Sequence, residues 1–303
     1  MKVLRLATRR SALALAQSGQ VAARIRAANP GLEVELVHVV TAGDRIQDRP
    51  LASIGGKGLF VKEIELTLAE GAADLAVHSM KDLPAELPSD LWIAAVPARE
   101  SPWDLLATVD GRGLAELPQA ARVGTASQRR SVQLLARRPD LRVEMLRGNI
   151  DTRVRRLREG DFDAIVLAEA GVRRLGIEVR GVTLEGAIVP AVAQGALALE
   201  ARRGDEAVAA AVRALHDPKT AAETTAERAV MTALSGSCVT PMGALARWDQ
   251  AAGTLSMEGF LARDDGSAQV VDALVASFAG GEAEALEAGA RLAERLREAL
   301  AGR

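Results

Sequence analysis

One cysteine, Cys238, sits in Ser235-Gly236-Ser237-Cys238-Val239-Thr240-Pro241-Met242-Gly243, a turn of small residues after a long helix-like stretch. With no second cysteine an intrachain disulfide is excluded, so the sulfur is buried filler, an accident of composition or a chemical handle. A position just beyond a helix C-terminus meets the negative end of the helix dipole, which raises a thiol's pKa and disfavours a thiolate needed on every turnover. A thioether formed once asks only for a flexible, accessible position, and Gly236 and Gly243 supply the flexibility. The second candidate is a carboxylate. Asp82 closes His78-Ser79-Met80-Lys81-Asp82, directly after the strand expected at 74–77. There it can move protons or stabilise a cation, with Ser79 and Lys81 beside it to bind an anion. A surface turn ahead of Pro84 would look the same.

Five of the 38 basic residues are lysines, which leaves 33 arginines. The guanidinium fork grips carboxylate or phosphate with two parallel hydrogen bonds, whereas lysine is a point charge. A high-GC genome explains an arginine excess, but not where particular arginines fall. Arg9 and Arg10 follow the first strand, and Arg129 with Arg130, Arg147 with Arg153, and Arg173 with Arg174 fall at strand ends and helix starts. Ligands of open α/β sheets bind at the carboxyl ends of strands, where helix N-termini favour anions, so the pattern points to a polyanionic ligand. Any one of these arginines, taken alone, also reads as a solvated helix residue. The net charge of −2 argues against general affinity for nucleic acid. His38, His78 and His216 are scattered without metal-ligand spacing, and the glycines around Lys57 match neither the Walker pattern nor GxGxxG.

A fold that brings such groups together needs several layers. At 303 residues and 49% apolar, two or three domains are expected. Charges interrupt every apolar run before it could span a bilayer, and the first ten residues lack the apolar stretch of a signal peptide, which suggests a soluble cytoplasmic protein. The pattern predicts a strand at 3–7 and a helix capped by Ser11 that stops at Asn29-Pro30-Gly31. A strand at 33–40, a polar lid or binding loop at 41–58, a helix at 59–70 and a strand at 74–77 follow. After a cluster of prolines at 84, 88, 97 and 102 the rhythm restarts, with strands at 122–124, 142–146 and 163–167 and helices around Arg129, at 149–159 and at 168–175. Two doubly wound α/β domains in succession are therefore expected. From Asp217-Pro218, an N-cap with proline at the first helical position, a helix runs to about Leu234. Two alternating strands near 255–261 and 271–275 and a closing helix with Leu286, Gly289, Ala293, Leu296 and Leu300 on one face complete a small α+β domain.

Five motifs in order along nearly the whole chain carry a family resemblance. They are Ala7-Thr8-Arg9-Arg10-Ser11-Ala12-Leu13, Gly55-Gly56-Lys57-Gly58-Leu59-Phe60, Val77-His78-Ser79-Met80-Lys81-Asp82-Leu83-Pro84, Leu146-Arg147-Gly148-Asn149, and Glu227-Arg228 with Ser235-Gly236-Ser237-Cys238. Together the chain resembles the hydroxymethylbilane synthases, also called porphobilinogen deaminases. That resemblance implies a dipyrromethane cofactor on Cys238 as a thioether, and four porphobilinogens joined head to tail with loss of ammonia before hydrolytic release of the linear tetrapyrrole. Every ring carries an acetate and a propionate, which is the polyanion that the arginines called for. By motif, Asp82 is the catalytic carboxylate. Arg9, Ser11, Lys81, Arg129, Arg130, Arg147, Arg153 and Arg174 bind cofactor and substrate carboxylates, with Ser79, Thr125, Ser127 and Gln194 as further partners and Lys57 and Phe60 on a lid loop.

The resemblance further implies two domains like those of periplasmic solute-binding proteins. Domain 1 covers 1–97, and the chain returns to it at about 193–216 after domain 2 at 98–192. Domain 3, at 217–303, bears the cofactor, and the expected state is a cytoplasmic monomer with no membrane or nucleic-acid partner. Ala126 and Ala193 stand where many relatives have serine and glycine, and the second stiffens a crossover between domains. Two rivals remain at this level: a noncatalytic binding protein for a small polyanion, which predicts export, and a cysteine-dependent hydrolase or transferase, which wants a histidine beside the thiol.

Overall fold

The computed structural model describes residues 1–41, 61–234 and 241–303. The chain opens with β1 (Val3–Arg9), α1 (Ala12–Ala28), β2 (Glu33–Val39), α2 (Lys62–Ala69), β3 (Leu75–Ser79) and β4 (Leu91–Ala95). A second group follows: β5 (Asp104–Ala107), β6 (Arg122–Gly124), α3 (Gln128–Arg137), β7 (Arg142–Glu144), α4 (Ile150–Arg158), β8 (Ala164–Ala168), α5 (Glu169–Leu175) and β9 (Gly181–Thr183). Then come β10 (Leu197–Arg202), α6 (Glu206–Val212), α7 (Pro218–Ala233), β11 (Met242–Asp249), β12 (Thr254–Ala262), β13 (Gln269–Ser277) and α8 (Glu282–Ala301).

The caps form as the sequence dictates. Ser11 Oγ accepts the N–H of Ala14 at 3.3 Å, and the Asp217 carboxylate accepts that of Thr220 at 2.7 Å ahead of Pro218. Side chains alternate across the first sheet. Leu4, Leu6 and Leu75 pack against Val21 and Ile25 of α1 and Val208 and Val212 of α6, while Ala7 and Ala76 meet Ile64 and Leu68 of α2 on the other face. Burying each such leucine or isoleucine contributes roughly 1.5–3 kcal/mol, which is why both faces are helix-covered.

The strand order is β2-β1-β3-β10-β4 in the first sheet and β7-β6-β8-β5-β9 in the second. Each sheet has one strand running against the rest: β10 is antiparallel to both β3 and β4, and β5 to both β8 and β9. Both sheets are doubly wound, as expected. β4, β5, β9, β10 and β11 are additional to the strands expected from the pattern, being three to six residues long or, for β11, obscured by its glycine and alanines. The third unit is the antiparallel sheet β11-β12-β13 under α7 and α8. On α8 the buried face is Ala285, Ala288, Gly289, Leu292, Ala293 and Leu296, and Leu286 points outward, so the apolar stripe begins one residue earlier than expected.

Candidate active site

The end of β3 and the short 3₁₀ turn Met80–Asp82 present the motif residues in alternating directions. His78 points away from the others, buried, its Nε2 2.9 Å from a Glu200 carboxylate oxygen. Ser79 accepts a hydrogen bond from Gln17 Nε2 at 2.9 Å. Met80 and Leu83 are almost fully buried in the core shared with α7 and β11, which pins the turn between them to the third unit. Arg228 of α7 adds a clamp, donating to the carbonyls of Pro84 and Ala85 at 2.7 and 3.1 Å. On this anchored turn Asp82 is exposed, and Lys81 reaches inward to Gln194 Oε1 at 3.2 Å. Desolvation pushes the Lys81 ammonium down to about 8, with Asp82 and Asp104 opposing that shift and Arg129 and Arg130 adding to it.

Facing this turn, the second sheet's edge carries most of the predicted arginines. Arg129 and Arg130 lie buried in the first turn of α3, after Thr125, whose hydroxyl accepts the N–H of Ser127 at 3.2 Å. Both arginines converge on Asp104, the first residue of β5. Oδ1 accepts Arg130 Nε and Nη2 at 3.0 and 2.7 Å, and Oδ2 lies 2.9 Å from Arg129 Nη2 in an ion pair. Gln194 Nε2 donates to the same Oδ1 at 3.0 Å, so a polar chain runs from Lys81 through Gln194 to Asp104 and the two guanidiniums.

Arg147 and Arg153 depend on Gly148, whose φ of +110° belongs to glycine and whose carbonyl accepts Arg153 Nε at 2.8 Å. Desolvation, reinforced by the nearby charges of Arg130 and Arg147, lowers Arg153 to about 10. Arg147 Nη1 is buried without a hydrogen-bond partner. Cations therefore crowd a poorly hydrated place where, among the described residues, Asp104 and Asp82 oppose the charge of Lys81, an arrangement that gains from every anion brought in.

Arg174 is held by Gly195 O at 2.7 Å, where burial lowers its pKa, while its neighbour Arg173 is exposed and paired with Glu169 and Glu100 in a surface network. Ser11 is spent on its helix cap, Arg9 closes β1 half-buried, and Arg10 is exposed. Lys57, Phe60 and Cys238, and most of the expected lid at 41–58, lie outside the described residues.

Two crossovers join the sheets, and they touch. A Cβ on Gly195 would meet Glu100 O at 2.4 Å and Ser101 O at 2.5 Å, so only glycine allows the approach. Above them Arg99 and Glu227 form a buried two-pronged pair at 2.6 and 3.1 Å. Glu227 also accepts the N–H groups of Ala193 and Ala246 at 2.6 and 2.9 Å. Ala193 holds a left-handed φ of +56°, which accounts for glycine being the residue expected at that crossover. Asp104, Gln17, Arg99 and Glu200 were not singled out by spacing. The signal for Asp104 was there, since a carboxylate opening the apolar run Leu105-Leu106-Ala107 must be paired once buried.

Among the described residues there is no cluster able to hold a metal ion and no helix long and apolar enough to cross a membrane. The dipyrromethane cofactor binding domain of porphobilinogen deaminase matches residues 4–210, and the porphobilinogen deaminase C-terminal domain matches 221–298. The porphobilinogen deaminase of Syntrophotalea carbinolica is 48% identical over 97% of this chain and 92% of its own. That of Sorangium cellulosum is 49% identical over 97% and 98%. The periplasmic aliphatic sulphonate binding protein SsuA from Escherichia coli shares 13% identity over 78% of this chain and 71% of its own, and at a TM-score of 0.40 the strand order itself remains the description of the fold. Over nearly its full length and in both matched regions, this chain belongs to the porphobilinogen deaminase family.

Proposed function

We propose that Asp82 is the acid–base carboxylate of the family's reaction, that Cys238 holds the dipyrromethane cofactor as a thioether, and that Lys81, Arg129, Arg130, Arg147, Arg153 and Arg174 hold the ring carboxylates. The reaction joins four porphobilinogens head to tail with loss of ammonia and releases linear hydroxymethylbilane for tetrapyrrole synthesis. The observation that carries the assignment is the undercompensated cation cluster, with the orphaned Arg147 Nη1 and the depressed Arg153. Residues so placed fit a group rich in carboxylates. Bound, the cofactor would supply the free pyrrole carbon that the first incoming unit joins.

The chain's own contribution is positional and electrostatic. Arginines hold carboxylates in register, and Asp82, kept exposed on a turn fixed by Met80 and Leu83, faces positive charge and moves the proton as ammonia departs. Arg9, Ser11, Ser79, Thr125, Ser127 and Gln194 complete the proposed binding surface, with Lys57 and Phe60 on a closing loop. The proposed division is domain 1 at 1–97 with a return at about 193–216, domain 2 at 98–192 and domain 3 at 217–303. The insertion of β10 between β3 and β4 supports the return.

A reducing compartment suits a thiol that must stay free until loaded, so a cytoplasmic monomer completes the proposal. Native mass spectrometry of the purified protein supplied with porphobilinogen tests both points. One chain heavier than its sequence by a dipyrromethane is expected, and Cys238→Ser should lose the increment. A folded protein that stays at sequence mass would return the polyanion-binding alternative. Arg147→Lys is expected to raise KM about tenfold with the fold intact, since a charge-assisted hydrogen bond contributes about 1.5–3 kcal/mol and one ammonium cannot replace a fork. Unchanged kinetics would remove Arg147 from the carboxylate set.

A further inference from the structure

We propose that Asp104 is a positioning residue of the reaction: its carboxylate sets the guanidiniums of Arg129 and Arg130 and, through Gln194, holds the Lys81 ammonium beside Asp82. The inference rests on the site assignment above and adds to it a residue that acts through the arginines and the glutamine it holds.

Asp104 is 1% exposed and its contacts come from three directions. Arg130 and Arg129 reach it from α3, Gln194 from the second crossover, and its own backbone opens β5 directly after the first crossover. Its reach continues into the first sheet's turn, because Gln194 offers its other amide atom, Oε1, to Lys81 Nζ at 3.2 Å. The amide therefore has a fixed orientation, Nε2 toward Asp104 and Pro102 O, Oε1 toward Lys81. One buried carboxylate thus joins groups from both sheets across the line where the crossovers meet. A buried cation pair without it would repel and turn away.

The charge acts as well as the geometry. The Lys81 ammonium is faced by Asp82 on its own turn, by Gln194, by Arg129 and Arg130 from α3, and by Asp104 from β5. Already depressed to about 8, it loses one of the two anions that oppose this shift among the described residues if Asp104 is neutralised. Its charge is present below that value and lost above it, so neutralisation moves the loss to lower pH.

The test compares cofactor-loaded Asp104→Asn and Asp104→Glu by kcat, KM and pH profile. Asp104→Asn is expected to lower kcat about ten- to a hundredfold and to move the alkaline limb of kcat down by about one unit. Asp104→Glu keeps the charge but displaces it by a methylene, so kcat falls while the limb stays. Wild-type kcat in Asp104→Asn, or a lowered kcat with an unmoved limb, overturns the inference. Should Asp104→Asn fail to fold, Asp104→Glu decides: reduced kcat at a wild-type limb supports the proposal and wild-type kcat sinks it. Asp82→Ala run alongside separates the two levels. If it retains wild-type turnover, the site assignment fails; if it is inactive while both Asp104 variants match wild type, only this inference fails.

Discussion

Replacement of Asp82 by alanine is expected to lower turnover by about 10²–10⁴-fold, the usual loss when a positioned acid–base group is removed. The fold should survive. Asp82 is exposed, its carboxylate accepts no hydrogen bond among the described residues, and the turn is held by the buried Met80 and Leu83 and by the Leu83 N–H to Met80 O bond at 3.1 Å. Binding should persist too, because the arginines proposed to hold carboxylates are on other elements. Asp82→Ala should therefore lose kcat with little change in KM, and Asp82→Glu should retain partial activity, its charge present but displaced. Single-turnover measurements on cofactor-loaded protein give the result directly, and wild-type turnover by Asp82→Ala would end the assignment.

The largest stability effect is expected at Glu227. Its carboxylate sits fully buried, receives both prongs of Arg99, and accepts two backbone N–H groups, one from the crossover at Ala193 and one from β11 at Ala246. Removing one partner of a buried pair costs about 3–5 kcal/mol, because the other charge is left uncompensated. Glu227→Ala should show that loss in urea unfolding. The double change Arg99→Met with Glu227→Leu separates pair from hub. A simple ion pair would be replaced by apolar groups at little cost, but here the N–H groups of Ala193 and Ala246 lose their acceptor, at about 1–3 kcal/mol each. The double variant should therefore stay well below wild type, and full recovery would show that Glu227 serves Arg99 alone.

What the sequence made legible was local. Caps at Ser11 and Asp217 formed because a cap's partners are three residues away. Gly148 lay inside a recognisable motif, and its φ explains why Arg147 and Arg153 share a corner. Partners distant in the chain left little trace. β5 is four residues long between prolines and charged turns, too short for periodicity to mark the strand or the aspartate that leads it. The pairing of Arg129 and Arg130 with Asp104 follows from the packing of α3 against β5, which no spacing encodes. Arg173 and Arg174 are adjacent in sequence yet separate in fate, since a helix turns successive residues to different faces, one to surface acids and one to a crossover carbonyl.

The place of β10 also imposes an order of assembly. The first sheet holds β3 and β4 apart until a strand some hundred residues later fits between them, pairing Leu199 with Val77 on one side and Ala95 on the other. The second sheet takes all five of its strands from one continuous stretch, Asp104 to Thr183. As the chain leaves the ribosome, the second sheet has every strand it needs while the first still shows two unpaired edges. The turn that carries Asp82 extends from one of those edges, and Met80 donates to Ala196 O just ahead of β10. The corner that carries Asp82 is thus completed late in synthesis, after the arginine-bearing half that it will face.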